Sequence, residues 1–300
     1  MIRGNRKLRY YFALFTVVIV WGLDPTVNSF FYRYFSASVL AVISTFASAV
    51  LFFILSIPYR REWNKNYIKI AFPISGLNAV ACVLQRIGLQ YTTPSSYAFL
   101  EHLSCAVVPV ALYLMVRKKP NGWQIFSCLL CLLGCLILCG VGSLSFGIGD
   151  LLCAVAGVLL GISVAATGVY AKKLDLRLYM TVYMGMYFFT SVLMTFCLHV
   201  LGIERAVFAW NGSLILAAIL FGLLSVGLCW LLKTAAVTHL DPALVAVMSP
   251  FSAVIAGVVS VAFGLEHLNL NLAIGAVLIV LALLISGLDD VKNAQSPPWD

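Results

Sequence analysis

The stretch "GVGSLSFGIGD", residues 140–150, separates two apolar parts of this 300-residue chain. Glycine and serine supply six of its eleven residues, a composition typical of a loop between helices. Five apolar runs precede this loop and five follow it. Because each half has an odd number of runs, two halves that share a fold would cross a membrane in opposite directions.

The composition indicates a membrane protein. Hydrophobic residues make up 62% of the chain, charged residues make up 10%, and the mean hydropathy is +1.02. Average soluble proteins carry about 25% charged residues. At roughly 30 residues for each span and its connection, the length accommodates about ten spans.

Apolar runs bounded by glycine, proline and charged residues predict ten membrane helices. The predicted helices lie near 9–29, 34–57, 67–90, 95–116, 122–141, 149–171, 178–201, 213–235, 242–263 and 270–288. We predict an all-α polytopic membrane protein with ten transmembrane helices in two inverted five-helix repeats, residues 1–145 and 146–300. A shift of 147 residues aligns "VLQRIGLQYTTPSSYAF" with "WLLKTAAVTHLDPALVA" and sets Arg86 against Lys233.

The basic residues predict the orientation. With a cytoplasmic N terminus, sixteen Lys and Arg residues, Lys233 among them, are assigned to the cytoplasmic side, and Arg33 and Arg205 to the other side. Such an excess marks the cytoplasmic loops of membrane proteins. The expected location is therefore a bacterial cytoplasmic membrane, with both termini cytoplasmic. The net charge of +8 lies mostly in short loops, so no nucleic-acid partner is predicted.

Two motifs carry a family resemblance. Trp21-Gly22 closes the first predicted helix, and "VMSPFSAVIAGVVSVAFGLEHLNLNLAIGAVLIVLALLI", residues 247–285, has Pro250 in mid-helix and Gly275 opening the last span. The layout and these motifs resemble the EamA-type, ten-helix members of the drug/metabolite transporter superfamily. The resemblance implies a secondary transporter for small metabolites such as amino acids, nucleotide sugars, phosphorylated sugars or organic cations. The first half departs from the pattern, with Leu103 opposite Pro250.

Three charged residues are predicted within the outer third of the membrane. Apart from residues at span boundaries, Asp24 and Glu101 are the acidic residues inside predicted spans, and Arg86 lies near the end of the third span. A charge at mid-bilayer costs about 2.5–3.5 kcal/mol, so an intramembrane acid is a candidate for function. Asp24 could instead cap a broken segment before Pro25, Arg86 could reach the headgroups, or Arg86 could pair with Asp24 or Glu101.

Polar side chains recur at helical spacing on three of the spans, which favours a lined cavity. The predicted substrate-binding residues are Trp21, Asp24, Asn28, Asn78, Gln85, Arg86, Tyr97, Glu101, Tyr183 and Ser249. Glu101 and His102 are the predicted proton-coupling residues, because a carboxylate and an imidazole can both exchange protons. His102 points about 100° away from Glu101 on a helix, so it could instead bond a neighbouring helix.

Two substrate classes fit these residues. An amino acid or another amine-bearing solute would place its amine at Glu101 or Asp24 and its carboxylate at Arg86. A quaternary ammonium such as choline would occupy an aromatic box closed by Glu101, since aromatic faces bind cations. In both readings the chain is a secondary active transporter that works by alternating access with proton coupling. The expected partners are the substrate, the lipid bilayer and protons, and the expected state is a monomer or homodimer.

Catalytic and cofactor sites are not predicted. Cys128, Cys131, Cys135 and Cys139 share a helical face, but a straight helix spreads them over about 16 Å, too far for one metal ion. No phosphate-binding loop is present for ATP-driven transport. An intramembrane enzyme is a remote alternative, because Asp24, Glu101 and His102 are the titratable residues available to it. We expect a protein that is not an enzyme and has no cofactor or metal.

Overall fold

The structure, a computed structural model, describes residues 2–89, 91–92, 94–117, 119–139, 147–263 and 270–293. Over these ranges the protein is a bundle of helices. The ten helices of the described chain are α1 Ile2–Phe31, α2 Ala37–Ser56, α3 Lys65–Leu89, α4 (Pro94–Glu101 and Ser104–Val116), α5 Gly122–Cys139, α6 Ile148–Tyr170, α7 Leu176–Val200, α8 Gly212–His239, α9 (Pro242–Met248 and Phe251–Ala262) and α10 Leu270–Asn293. Nine of these have the length and composition to cross a membrane, and α5 is a shorter apolar helix. The predicted all-α membrane fold is confirmed.

Polar residues start several of the helices. The side chains of Asp175, Asn211 and Asp241 accept backbone N–H groups at the beginning of α7, α8 and α9. Asp241 is followed by Pro242, which lacks an N–H and is already set for helical geometry. These caps satisfy donors that the first helical turn leaves open.

Short connections make successive helices antiparallel, so α1 begins and α10 ends at the same end of the bundle, here named the terminal end. There the side chain of Asn121 donates to Asp289 at 2.8 Å, and that of Gln124 donates to Asp241 at 2.9 Å. At the opposite end, the backbone N–H of Ser36 donates to the carbonyl of Val207 at 3.1 Å. Each of these bonds joins the first half of the chain to the second.

Glycines allow α5 and α10 to pack closely. A Cβ atom on Gly134 would lie 3.0 Å from the carbonyl oxygen of Gly275, and one on Gly275 would lie 2.7 Å from that of Gly134. Small residues at such crossings let helix backbones approach in membrane proteins. Buried thiols, including Cys131 and Cys135, pack with Ile279 beside this crossing.

Helices α4 and α9 are interrupted at equivalent places. The interruptions are His102–Leu103 in α4 and Ser249–Pro250 in α9, 147 residues apart, which is the predicted offset of the repeats. Proline cannot donate the helical backbone bond, which explains a break at Pro250 but not at Leu103. The predicted boundary between residues 145 and 146 lies outside the described residues.

Candidate substrate site

A lysine lies between two tryptophans in the interior of the bundle. Lys233 of α8 places its Nζ atom 4.7 Å from the ring centroid of Trp21 on α1 and 5.1 Å from that of Trp230 on α8. The two indoles meet edge to face with centroids 5.6 Å apart. Lys233 lies deep in the protein, yet its side chain is partly accessible. These three residues form what we name the tryptophan cage.

Aromatic residues of α7 support the cage. The rings of Tyr183 and Tyr187 lie 5.4 and 6.1 Å from that of Trp230, measured between centroids. The thiol of Cys82 on α3 contacts the Tyr187 hydroxyl at 3.7 Å, and Asn78 contacts the same thiol at 3.9 Å. The predicted residues Asn78 and Tyr183 are therefore brought to the neighbourhood of Trp21.

A π-helical segment, Leu223–Leu228, positions the Trp21 side chain. The indole Nε1 of Trp21 donates to the backbone carbonyl of Ser225 within this segment at 2.9 Å. A π-helical turn shifts the helical register and frequently marks functional sites. The bond fixes the plane of the Trp21 indole against α8. It therefore joins a helix of the first half, α1, to a helix of the second half.

Asp24 and Asn28 continue the polar face of α1 toward the opposite end. The Asn28 side chain donates to the Asp24 carboxylate at 2.6 Å, and the Ser225 hydroxyl is a second hydrogen-bonding neighbour of that carboxylate. Pro25 lies inside α1 and has no N–H, so the helical bond to the carbonyl of Trp21 is missing. Asp24 and Asn28 are both half-buried.

Glu101 and His102 lie at the interruption of α4, and Lys233 acts on both of them. Glu101 interacts electrostatically with Lys233 of α8 and with Cys153 of α6. In the described part of the chain its carboxylate forms no ion pair or hydrogen bond. His102 interacts electrostatically with Glu101, with Cys131 of α5 and with Lys233 of α8.

The remaining predicted residues have separate environments. Gln85 is buried, and its Nε2 atom has no hydrogen-bond acceptor among the described residues. Tyr97 is half-buried on α4, and the Ser249 hydroxyl donates to the carbonyl of Val245 at 3.0 Å. The side chain of Arg86 lies outside the described residues, so its predicted ion pair stays a prediction.

Two residues of the cage were missing from the predicted site. Lys233 was assigned to the cytoplasmic side, which is wrong, because α8 continues to His239 and holds Lys233 inside the bundle. Two sequence features could have identified the residue. Lys233 falls within the predicted span 213–235, and Trp230 precedes it by three residues, on the same helical face.

Apolar side chains close the bundle between the cage and the terminal end. A buried cluster there contains Leu14 of α1, Val237 of α8 and Val245 of α9. Beyond this cluster, Tyr10 stacks on His239 with ring centroids 4.1 Å apart. The half-buried polar residues Asp24 and Asn28 lie on the other side of the cage, toward the opposite end.

Comparisons with known proteins agree with this architecture. The model of the EamA-like transporter family matches the chain twice, over residues 8–140 and 149–288. One solved crystal structure superposes with a TM-score of 0.75 over 94% of this chain and 98% of its own, at 18% sequence identity, which shows a shared fold. No curated protein sequence matches the chain significantly. Since the family model covers nearly all of both halves, the chain belongs to the EamA-like transporter family.

Proposed function

We propose that this chain is a secondary transporter that moves a small polar metabolite across the membrane by alternating access, with the tryptophan cage at its substrate site. The observation that carries the proposal is a partly accessible lysine deep in an apolar bundle, held by a tryptophan from each half. An ionisable residue inside the membrane is costly and marks transport pathways in membrane proteins. Binding between inverted repeats is the arrangement used by many secondary transporters.

The charges around the cage favour an amine-bearing solute that also carries a carboxylate, such as an amino acid. Lys233 supplies a positive group, while Glu101 and Asp24 supply negative groups on two other helices. A zwitterion would place its carboxylate at Lys233 and its amine at Glu101 or Asp24. Lys233 thereby takes the carboxylate-binding role that the sequence predicts for Arg86. Each charged end would then meet an opposite charge, which compensates for part of its lost hydration.

Glu101 is the proposed site of proton coupling. Its carboxylate has no described ion-pair partner, so a proton or the substrate amine can neutralise it. Competition between the two would link proton flow to solute flow. Among the described residues, the ionisable groups that act near it are His102, Cys153 and Lys233, and none of them forms an ion pair with it.

An organic-cation permease is the alternative function, favoured by the aromatic residues that line the site. Trp21, Trp230 and Tyr183 supply the aromatic faces such a substrate needs. The ammonium of Lys233 already lies over two of these faces, however. Like-charge repulsion would oppose a second cation there, and so the zwitterion is preferred.

Uptake into proteoliposomes tests the proposed function. The purified chain would be offered labelled amino acids, choline and a neutral sugar, with and without an inward proton gradient. Saturable uptake of an amino acid, enhanced by the gradient, supports the proposal. Saturable uptake of choline with no amino-acid uptake would establish the organic-cation alternative. Absence of saturable uptake in either membrane direction would contradict the transport of all tested solutes.

The membrane orientation is proposed on the charges of the connections. Arg60, Arg61 and Lys172 lie exposed at the terminal end, which the excess of basic residues assigns to the cytoplasm. Both termini are then proposed to lie in the cytoplasm, and the proposed location is a bacterial cytoplasmic membrane. Labelling single exposed cysteines placed at residues 61 and 205 with an impermeant reagent in intact cells would test it, with reaction expected at 205 alone.

A further inference from the structure

We infer that Lys233 determines the charge selectivity of this transporter by occupying the cation position of the tryptophan cage, so that the site binds a carboxylate and excludes organic cations. The inference rests on the proposed function in taking the cage as the place where the solute binds. It specifies which end of the solute meets α8. It also identifies the residue whose removal would reverse the selectivity.

The geometry of the cage is that of a cation site already filled. The Nζ atom of Lys233 lies within 4.7 and 5.1 Å of two indole centroids. A cation within about 6 Å of an aromatic centroid is attracted by the negative face of the ring. A quaternary ammonium would need the same faces of Trp21 and Trp230. The lysine therefore competes with it both for space and by charge.

The lysine keeps its donors available for a ligand. An ammonium has three N–H donors and no acceptor. In the described part of the chain, Lys233 makes no hydrogen bond and no ion pair, and its ammonium contacts the two indole rings. Glu101 acts on it at a longer range than an ion pair. A partly accessible ammonium with unfilled donors favours an anionic oxygen as its partner.

A second unfilled donor lies on the helix that faces the cage. The Nε2 atom of Gln85 is buried without an acceptor in the described chain. Gln85 follows Cys82 by three residues and shares its helical face, and the Cys82 thiol reaches Tyr187, which packs on Trp230. A buried amide donor without a partner destabilises the folded protein. A ligand oxygen that reached it would remove that destabilisation.

The local negative charges favour a carboxylate over a phosphate. Lys233 of α8 interacts electrostatically with Glu101, and Asp24 lies on α1, which packs against α8. A carboxylate brings one negative charge, which Lys233 can balance. A phosphate dianion would add a second negative charge near two carboxylates, and repulsion between like charges is strong away from bulk water.

The cation test uses tetramethylammonium, which is independent of the natural solute. Purified full-length wild type, Lys233→Met and Lys233→Arg would be titrated in detergent, with melting temperature and tryptophan fluorescence as readouts. Methionine keeps the length of the side chain and removes its charge. We expect Lys233→Met to bind the probe at least about tenfold more tightly than wild type, and Lys233→Arg to resemble wild type. Lys172→Met, which removes an exposed charge, should also resemble wild type.

Equal binding of tetramethylammonium by folded Lys233→Met and wild type would overturn the inference. If Lys233→Met does not fold, Lys233→Gln replaces it as the neutral variant, and the same comparison decides. Binding by wild type as tight as by the neutral variant would show that the lysine does not fill the cage.

The carboxylate test compares matched probes on the same proteins. Free alanine, leucine and phenylalanine would each be paired with its amide, and inorganic phosphate would be tested separately. We expect at least one free acid to stabilise wild type, its amide to fail, and Lys233→Met to lose the effect. Stabilisation by phosphate that depends on Lys233, or failure of every free acid, would overturn the assignment to a carboxylate. Lysine-dependent binding without uptake in liposomes would instead refute the proposed transport and leave the binding site standing.

Discussion

His102 and Ser249 hold equivalent positions in the two halves, 147 residues apart, and each carbonyl accepts a backbone bond from three residues ahead. Cys105 donates to His102 at 3.0 Å, and Ser252 donates to Ser249 at 3.1 Å. These short bonds replace the regular helical pattern at both interruptions. Broken helices of this kind border the substrate sites of transporters built from inverted repeats. Glu101 directly precedes the first interruption, whereas Met248 occupies the equivalent position before the second. The negative charge is therefore present only at the interruption in the first half.

A methyl group at Gly157 is expected to destabilise the protein by separating α6 from α4. A Cβ atom at this position would overlap the carbonyl oxygen of Leu100, just before the interruption of α4. Because backbone must move to admit it, Gly157→Ala should lower the free energy of unfolding by roughly 2 kcal/mol. Gly185→Ala is the control, since no described atom beyond its chain neighbours and the adjacent backbone of its own helix lies within 4 Å of its Cβ position. Equal unfolding midpoints in denaturant for the two variants would show that α4 and α6 can separate at Gly157 without loss of stability.

Trp21→Phe is expected to weaken solute binding more than it weakens the fold. Phenylalanine keeps an aromatic face for Lys233 but loses the indole donor to Ser225, a bond worth about 1 kcal/mol. The ring would then lose its fixed plane, and the apparent affinity for the transported solute should fall several-fold. Trp210→Phe provides the control, because Trp210 is 90% exposed. An equal decrease of the apparent solute affinity in Trp21→Phe and Trp210→Phe would show that Trp21 has no specific part in solute binding.

Glu101→Gln is expected to abolish the dependence of uptake on the proton gradient. Glutamine keeps the size of the side chain but cannot release a proton, so solute entry should no longer respond to external pH. Uptake would be measured over a range of external pH at fixed internal pH. Glu62→Gln, at an exposed position of the terminal end, should retain the wild-type dependence. A persistent gradient response in Glu101→Gln would assign proton coupling to another group.

Cys82 is expected to report occupancy of the site. It is half-buried beside Tyr187, whereas the other described cysteines are buried, apart from the exposed Cys197. With Cys139 and Cys197 replaced by alanine, a small thiol reagent should modify Cys82, and a bound solute should slow the reaction. Cys82→Ala in the same background gives the unlabelled control. An unchanged rate with saturating solute would place binding away from α3.

The helices were predicted well because they depend on a simple property. Long apolar runs cannot leave backbone groups unpaired in a bilayer, so hydropathy locates the spans. The helix ends were harder to predict: α8 extends to His239 rather than to residue 235, because Ala236 and Val237 continue its buried face. The offset of 147 residues was visible in sequence because span lengths repeat between the halves.

The site could be predicted only in part. Polar stripes on α1 and α3 depend on helical spacing and were accessible from sequence. The contact between Trp21 and Lys233 joins positions more than 200 residues apart, and it depends on how α1 crosses the π-helical segment of α8. Helical spacing says nothing about such a crossing. From sequence alone, Lys233 is therefore counted with the cytoplasmic residues, and the aromatic box is open to an external cation.

Transport by Lys233→Met tests the central claim most directly. Purified wild type, Lys233→Met and Lys172→Met would be reconstituted separately, and initial uptake of the best carboxylate-bearing solute would be measured over a range of concentrations. The account predicts saturable uptake by wild type and Lys172→Met, and a loss of at least about tenfold in Lys233→Met, equivalent to about 1.4 kcal/mol. Uptake of the same solute by Lys233→Met at the wild-type rate and concentration dependence would contradict it.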